Sequence, residues 1–198
     1  MNAMVLFRFT PHNEALPAVR GEGLYLRAPQ MADFSQWAAL RAESRRFLEP
    51  WEPLWPADDL TRSSFRRRVR RYAQEIASDT AYPFLIFRQD DDVLLGGLTL
   101  GFVRRGVAQT CTLGYWVGER YARQGHMTRA VRAAVGFAFR NLALRRVEAA
   151  CLPSNAASIR LLEKVGFSRE GYARRYLCIA GTWQDHLLYA LLSDDIVS

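Results

Sequence analysis

Cysteine is scarce in this chain of 198 residues: there are three, Cys111, Cys151 and Cys178. Their number is odd, their spacing wide, and no C-x-x-C pair occurs, which excludes a disulfide framework and a cysteine-based zinc site. Each thiol sits in an apolar, strand-like run and is expected to act as a small buried hydrophobe of a reducing compartment, so the chain is expected to be cytoplasmic. Long hydrophobic runs are also missing. No stretch approaches the roughly 18 uninterrupted apolar residues of a membrane span, and the first residues show no charged segment leading into an apolar core. Neither a membrane partner nor a signal peptide is expected. There is no internal repeat and no low-complexity linker. Acid is in deficit, with 20 Asp and Glu against 27 Lys and Arg, a formal charge of +7. That excess attracts polyanions. No helix-turn-helix, zinc finger or RNP-like aromatic pattern accompanies it, so no specific nucleic-acid partner is expected.

What is present is enough apolar residue, 49%, to bury one core. Residues 1–23, with Pro11, Pro17 and two glycines, read as a loosely ordered lead-in, 24–192 as one domain and 193–198 as a tail. "LYLRA" (24–28) alternates as a first strand, and "MADFSQWAALRAES" (31–44) has helical spacing with Asp33 as its N-cap. The loop "FLEPWEPLWP" (47–56) is rich in proline and tryptophan. It leads into "RSSFRRRVRRYAQE" (62–75), where Phe65, Val69 and Tyr72 form an apolar stripe opposite a row of arginines. Those arginines are either a solvated face or a steering surface for a polyanion. "YPFLIFR" and "VLLGGLTLGF" read as a hairpin turning at "QDDD", and "CTLGYWVG" as a further strand. "RRVEAACL" is a strand, "SNAASIRLLEKVGF" a helix, and "RYLCIAGTWQDHLLYALL" two strands turning at Ala180 and Gly181. Hairpins in the middle and strand–helix alternation later imply a mixed α/β sheet covered by helices.

Two stretches carry chemistry. "RYARQGHMTRAV" (120–131) passes from a polar loop with one glycine and three arginines into a helix whose apolar positions are Met127, Ala130, Val131, Ala134, Val135 and Ala138. A helix N-terminus offers unpaired N–H groups and the positive end of the helix dipole to an anion such as a diphosphate; the alternative is an ordinary loop with solvated arginines. The stretch lacks the lysine and second glycine of a Walker loop and is not G-x-G-x-x-G, so nucleoside-triphosphate and nicotinamide chemistry are set aside. In "CLPSNAASIRLLEKVGF" (151–167), Pro153 stops a strand, Ser154 or Asn155 caps a helix, and Gly166 closes it with Phe167 against Leu162. Capping does not account for Ser158, one turn further along the same side.

Together these stretches resemble the GNAT superfamily of acetyl-CoA-dependent N-acetyltransferases. The family's pyrophosphate loop, Q/R-x-x-G-x-G/A, falls on Ala122, Arg123, Gln124, Gly125, His126 and Met127, with Gly125 the strict match. Met127 in the last place, "LGYWVG", Asn155-Ala-Ala-Ser158, "GFSREGY" and the tail "GTWQDHLLYALL" resemble the RimJ/RimL subgroup, which acetylates protein N-termini. The likeness runs from about Leu24 to Leu192. It implies a single domain with a twisted, mixed, mostly antiparallel sheet flanked by helices. It implies acetyl-CoA as co-substrate, bound by Tyr115, Trp116, Val117, Arg123, Gln124, Gly125, His126, Met127, Thr128, Asn155 and Ser158, and no metal. The implied acceptor is a protein N-terminus, possibly of a ribosomal protein, in an enzyme acting as monomer or homodimer.

The departures bear on mechanism. Arg123 stands where the family often has glycine, a source of strain if φ is positive there; Arg120 and Arg123 would add charge in compensation. Leu162 replaces the tyrosine with which many relatives protonate the departing thiolate, and the subgroup resemblance moves that task to Ser158, with Asn155 on the pantetheine amides. Ala150 stands where some relatives place a glutamate base. An α-amine titrating near ~8 needs only a modest base or a water chain. Glu119 and Glu148 are candidates by proximity, and His126 or His186 for proton relay, each with a plainer structural role as the alternative; no general base is assigned. Trp51 and Trp55 are expected to wall the acceptor groove or to pack the neighbouring helices. The other readings are a GNAT enzyme for a small amine and a non-catalytic ribosome- or RNA-binding module.

Overall fold

The structure is a computed structural model that describes residues 18–195. The strands are β1 (Ala18–Gly21), β2 (Leu24–Arg27), β3 (Tyr82–Arg88), β4 (Leu94–Arg104), β5 (Thr110–Val117), β6 (Arg146–Cys151), β7 (Ser168–Ile179) and β8 (Thr182–Leu192). The helices are α1 (Phe34–Glu43), α2 (Arg45–Leu48), α3 (Arg62–Ala77), α4 (His126–Arg140) and α5 (Ala156–Val165). One sheet runs β1-β2-β3-β4-β5-β6-β8-β7, and every neighbouring pair is antiparallel except β5–β6. This is the mixed, mostly antiparallel sheet flanked by helices that the sequence implied. Among the described residues no helix is long and apolar enough to cross a membrane.

The burial of β3 explains why its apolar run does not alternate. Phe84 and Ile86 enter the core beneath α4 and α5, while Leu85 and Phe87 enter a second core with Trp37, Leu40 and Phe65 from α1 and α3. A strand covered on both faces has no polar face to keep. On α4, Met127, Ala130, Val131, Ala134, Val135 and Ala138 are all buried, the stripe read from the sequence. Three of the six are alanines, which let the helix lie close over β1, β2 and β4. Burying each valine is worth at most about 1.5–3 kcal/mol.

Several local expectations need correction. Strand structure starts at Ala18, inside the segment read as a lead-in, because Ala18–Gly21 completes a hairpin with β2; Pro11 and Pro17 lie outside the described residues. Asp33 does not cap α1 with its side chain. Its carboxylate turns back onto Arg27, with contacts of 2.6 and 2.8 Å, and accepts from the Gln30 N–H at 2.7 Å. The ion pair outcompetes the cap. Cys111 and Cys151 are buried as expected, but Cys178 is exposed, because β7 is an edge strand whose outer residues have nothing packed over them. The loop at 47–56 includes the end of α2 and a 3-10 turn at Glu49–Trp51.

The β4–β5 contact is close enough to dictate glycine. A Cβ on Gly96 would sit 2.3 Å from the Trp116 carbonyl oxygen, and one on Gly101 would meet only Thr99 at 3.7 Å and Thr112 at 4.0 Å. Gly96→Ala should lower stability by about 1–3 kcal/mol, the range for forced overpacking, while Gly101→Ala should change it little. Urea unfolding checks the pair, and equal midpoints would show that β5 yields to the added methyl.

Candidate active site

The site begins where sheet pairing ends. Strands β5 and β6 run parallel in register from Thr110↔Arg146 to Leu113↔Ala149, and there the ladder stops. Gly114–Val117 continue to pair with β4 on their other side. Their edge toward β6 is therefore free to hydrogen-bond an extended ligand. This places Tyr115, Trp116 and Val117 on the strand beside the gap.

The loop after β5 forms the next wall. Arg123 has φ 61° and Gly125 φ 77°, so the chain alternates its handedness across Gln124 and turns into α4 at His126. The helix thus starts two residues before Thr128. No acceptor among the described residues meets the N–H groups of His126, Met127 and Thr128; the first helical bond is Arg129 N–H to the Gly125 carbonyl. Free N–H groups on a left-handed/right-handed turn at a helix N-terminus make an anion nest. The nest fits a CoA diphosphate. Arg123 does sit at the positive φ that makes a non-glycine residue strained there. Arg120 points elsewhere, 3.6 Å from Glu43 and over the Tyr121 ring, and Arg123 has no ion pair among the described residues.

His126 is tied into the same loop. Arg129 donates to Nδ1 at 2.9 Å, so Nε2 carries the proton and faces the Gln124 side-chain oxygen at 3.3 Å. Burial, then the charges of Arg129 and Arg88, hold its pKa below the ordinary value. Gln124 also donates to the Arg120 carbonyl at 2.8 Å. These side chains shape the loop, while Met127 is buried in the core.

Helix α5 follows β6, so its N-terminus reaches the same gap. Asn155, not Ser154, is the cap: its side-chain oxygen accepts from the Ser158 N–H at 3.0 Å. At the other end Gly166 has φ 112°, and the Phe167 N–H closes onto the Leu162 carbonyl at 3.0 Å. Ser158 does not bond back to its own helix. Its Oγ lies 2.5 Å from the Tyr115 hydroxyl, joining α5 to β5 across the gap. Burial pushes the Tyr115 phenol up to about 12, the Ser158 hydrogen bond opposing and the Cys151 thiol reinforcing the shift. Either hydroxyl can donate in this contact, so a proton can pass between Tyr115 and Ser158. The sequence places Tyr115 on the cofactor strand, but no local signal links it to Ser158, 43 residues away.

Of the other proton-transfer candidates, Glu148 and His186 are engaged and Glu119 lies on the surface. Arg104 and Arg146 occupy the two oxygens of Glu148 at 3.0 and 2.9 Å. Glu119 is exposed at the start of a 3-10 turn, its N–H donating to Ser44. His186 is 2% exposed and donates from Nδ1 to the Gln184 carbonyl at 2.9 Å.

On the α1–α3 side a cavity of about 390 Å³ opens against Gly114, Tyr115 and Trp116. Trp55 lines it, its indole N–H donating to Glu52 at 2.7 Å; Trp51 is on the neighbouring turn and does not line it. The arginine row of α3 is partly committed to the fold, through Arg67–Asp58 and Arg68–Asp59, both at 2.5 Å.

Residues 23–168 match the acetyltransferase (GNAT) domain family. The chain is 37% identical over 177 residues to the probable N-acetyltransferase YjcK of Bacillus subtilis, covering 89% of this chain and 98% of that protein. It is 34% identical over 182 residues to the [ribosomal protein uS5]-alanine N-acetyltransferase of Escherichia coli, covering 91% and 94%. Among solved structures, RimJ of Mycobacterium smegmatis in complex with CoA-disulfide superposes with a TM-score of 0.85 at 30% identity, covering 92% of this chain and 89% of that one. A parallel strand pair opened for an extended ligand, a diphosphate nest and full-length similarity converge: this chain belongs to the GNAT family and is an acetyl-CoA-dependent N-acetyltransferase with RimJ-type ribosomal-protein-alanine acetyltransferases among its relatives.

Proposed function

We propose that the enzyme acetylates the N-terminal α-amino group of a protein, of the ribosomal-protein class, by direct attack of the amine on the thioester. The observation that carries the reading is Tyr115: the residue lines the cavity, and its hydroxyl hydrogen-bonds Ser158 across the gap, so the cavity and the co-substrate gap adjoin at one residue of β5. Similarity to the uS5-alanine enzyme over nearly the whole chain supports the acceptor class.

Acetyl-CoA supplies an activated acetyl group and a thiol as leaving group. The chain's residues do the rest. The N–H groups of His126, Met127 and Thr128, with Arg123, hold the diphosphate. The Asn155 oxygen is used as the cap, which leaves its amide nitrogen to donate to a pantetheine carbonyl. A backbone N–H of Gly114–Val117 meets the negative charge that develops on the acetyl oxygen. Cavity charges are paired, Arg41 with Glu52 and Arg68 with Asp59, and the remaining walls include Trp37, Phe65 and Phe84. Such surroundings disfavour an ammonium, so an α-amine, already near ~8, enters neutral without a dedicated base. Ser158 gives its proton to the departing sulfur and regains one from Tyr115, and the phenolate is reprotonated through water by the proton that the acetylated nitrogen releases. A phenol near 12 is a better source than an alkyl alcohol alone.

Acetylation of a peptide library, read by mass, tests the acceptor class: label on α-amines is expected, and label confined to lysine side chains overturns the reading. Acetyl-CoA at a hundred times its dissociation constant should stabilise the fold by about 2.7 kcal/mol, or about 2–4 °C in Tm per kcal/mol at this size. A Tm that stays put would remove the assigned nest. Ser158→Ala and Tyr115→Phe should each lower kcat, by ~10² for the serine, the low end for general acid catalysis, because CoA thiolate leaves readily. As members of one relay they should be non-additive, the double variant losing little more than Ser158→Ala. Additive losses in single-turnover rates would separate the two hydroxyls.

A further inference from the structure

Helix α3 presents a face that neither the core nor the cavity uses. Its 16 residues hold six arginines and one acid, Glu75. Phe65 packs into the core with α1, and Arg68 and Tyr72 line the cavity, whereas Arg66, Arg67, Arg70 and Arg71 are exposed. Arg66 and Arg70 have no ion pair or side-chain hydrogen bond among the described residues. Arg67 and Arg71 are paired at the surface, with Asp58 at 2.5 Å and Glu75 at 3.3 Å. Surface pairs of this kind are weak and exchange readily for another anion.

The arrangement works against the helix itself. Arg66 with Arg70 and Arg67 with Arg71 set like charges four residues apart, and Arg62 adds a cation in a first turn that holds no acid, at the positive end of the dipole. An anion carrying several charges at short intervals relieves that repulsion. We propose that the exposed face of α3, Arg66, Arg67, Arg70 and Arg71, docks on the phosphate backbone of RNA, and that the acceptor protein is acetylated while bound to that RNA. This rests on the acceptor of ribosomal-protein class proposed above and names the state in which it is presented.

Charge and geometry argue for this occupant. A guanidinium fork meets two phosphate oxygens at once. Each exposed pair spans four residues of helix, about 6 Å along the axis, so the face is a two-by-two array suited to a chain of phosphates rather than to one ion. An anionic bilayer fits less well, because the apolar stripe that would enter it is buried, with Phe65 1% exposed. Phosphate contacts carry no sequence information, in keeping with a chain that lacks a base-reading motif. Position supplies the link to acetylation, since Arg67 and Arg71 directly precede Arg68 and Tyr72 of the cavity wall. A protein that binds RNA is itself basic, and this face repels it when it is free. On RNA the same acceptor arrives among phosphates and is drawn in.

The probes are an RNA hairpin, an alanine-initiated peptide, and that peptide joined through its C-terminal end to the hairpin. Arg66→Gln with Arg70→Gln removes two charges from α3 and keeps good helix formers. Arg132→Gln with Arg140→Gln removes two exposed charges from α4, on the other face of the sheet. The wild-type enzyme should bind hairpins of unrelated sequence equally, with an affinity that falls steeply with salt. The α3 variant should flatten the log–log salt slope by about one for each arginine removed. At low salt the conjugate should show a KM about ten-fold or more below that of the free peptide at unchanged kcat, because docking raises its effective concentration. The α3 variant should abolish that advantage and leave Tm and the kinetics of the free peptide as in the wild type. Equal KM for conjugate and free peptide overturns the proposal, and equal losses in the α3 and α4 variants overturn the assigned face, since net charge alone then acts. Phosphatidylserine vesicles or polyglutamate that hold the enzyme as tightly as the hairpin overturn RNA as the occupant. If no peptide α-amine is labelled, free or conjugated, the acceptor reading falls and acetylation on RNA with it, while hairpin binding by wild type and variants still decides the docking face.

Discussion

The parallel pairing of β5 with β6, and its early end at Leu113↔Ala149, is the constraint on which the site depends. A parallel pair needs a crossover, and α4 supplies it; α5 then leaves β6 in the same sense. Both helix N-termini consequently lie at the carboxyl end of the two strands, where open α/β sheets bind ligands. Had β6 returned antiparallel, the Arg123–Thr128 loop and the Asn155 cap would sit at opposite ends of the sheet. One change of strand direction brings together the nest, the free edge of β5 and the hydroxyl of Ser158.

The same site carries local strain. Arg123 at φ 61° costs about 1–2 kcal/mol relative to a relaxed backbone, the penalty for an L-residue in the left-handed region. A glycine there would remove the cost and the charge together. Since Arg120 is drawn off toward Glu43, Arg123 and Arg129 are the cations left at the loop. The strain is sustained by α4, whose eight buried positions anchor the turn from one side.

Electrostatics divide the molecule into a charged exterior and a cavity whose charges are paired. The excess of arginine is exposed along α3, yet Arg67 and Arg68 turn back onto Asp58 and Asp59 and fasten the segment before the helix. Exposed pairs such as Arg67–Asp58 add little. The Arg68–Asp59 and Arg41–Glu52 pairs are more buried and matter more for the cavity's polarity than for its stability.

Periodicity and punctuation, which are local, were legible in the sequence. The stripe of α4, a cap at Ser154 or Asn155, the close at Gly166 and the turn at Ala180 and Gly181 follow from 3.6- and 2-residue patterns and from residues that suit caps and turns. Similarity to a known family supplied the sheet and the co-substrate. What the chain order could not carry was any relation across the sheet. Asp33 has a cap residue's chemistry, but Arg27 lay within reach and an ion pair prevailed. Cys178 sits in an apolar run, but its strand took the edge. Tyr115 and Ser158 are 43 residues apart, and nothing in either neighbourhood announces a shared hydrogen bond. Local structure is set by neighbours within a turn or a strand, and the sequence determines those alone; which distant atoms meet, and which are left without a partner, is decided when strand order and direction are.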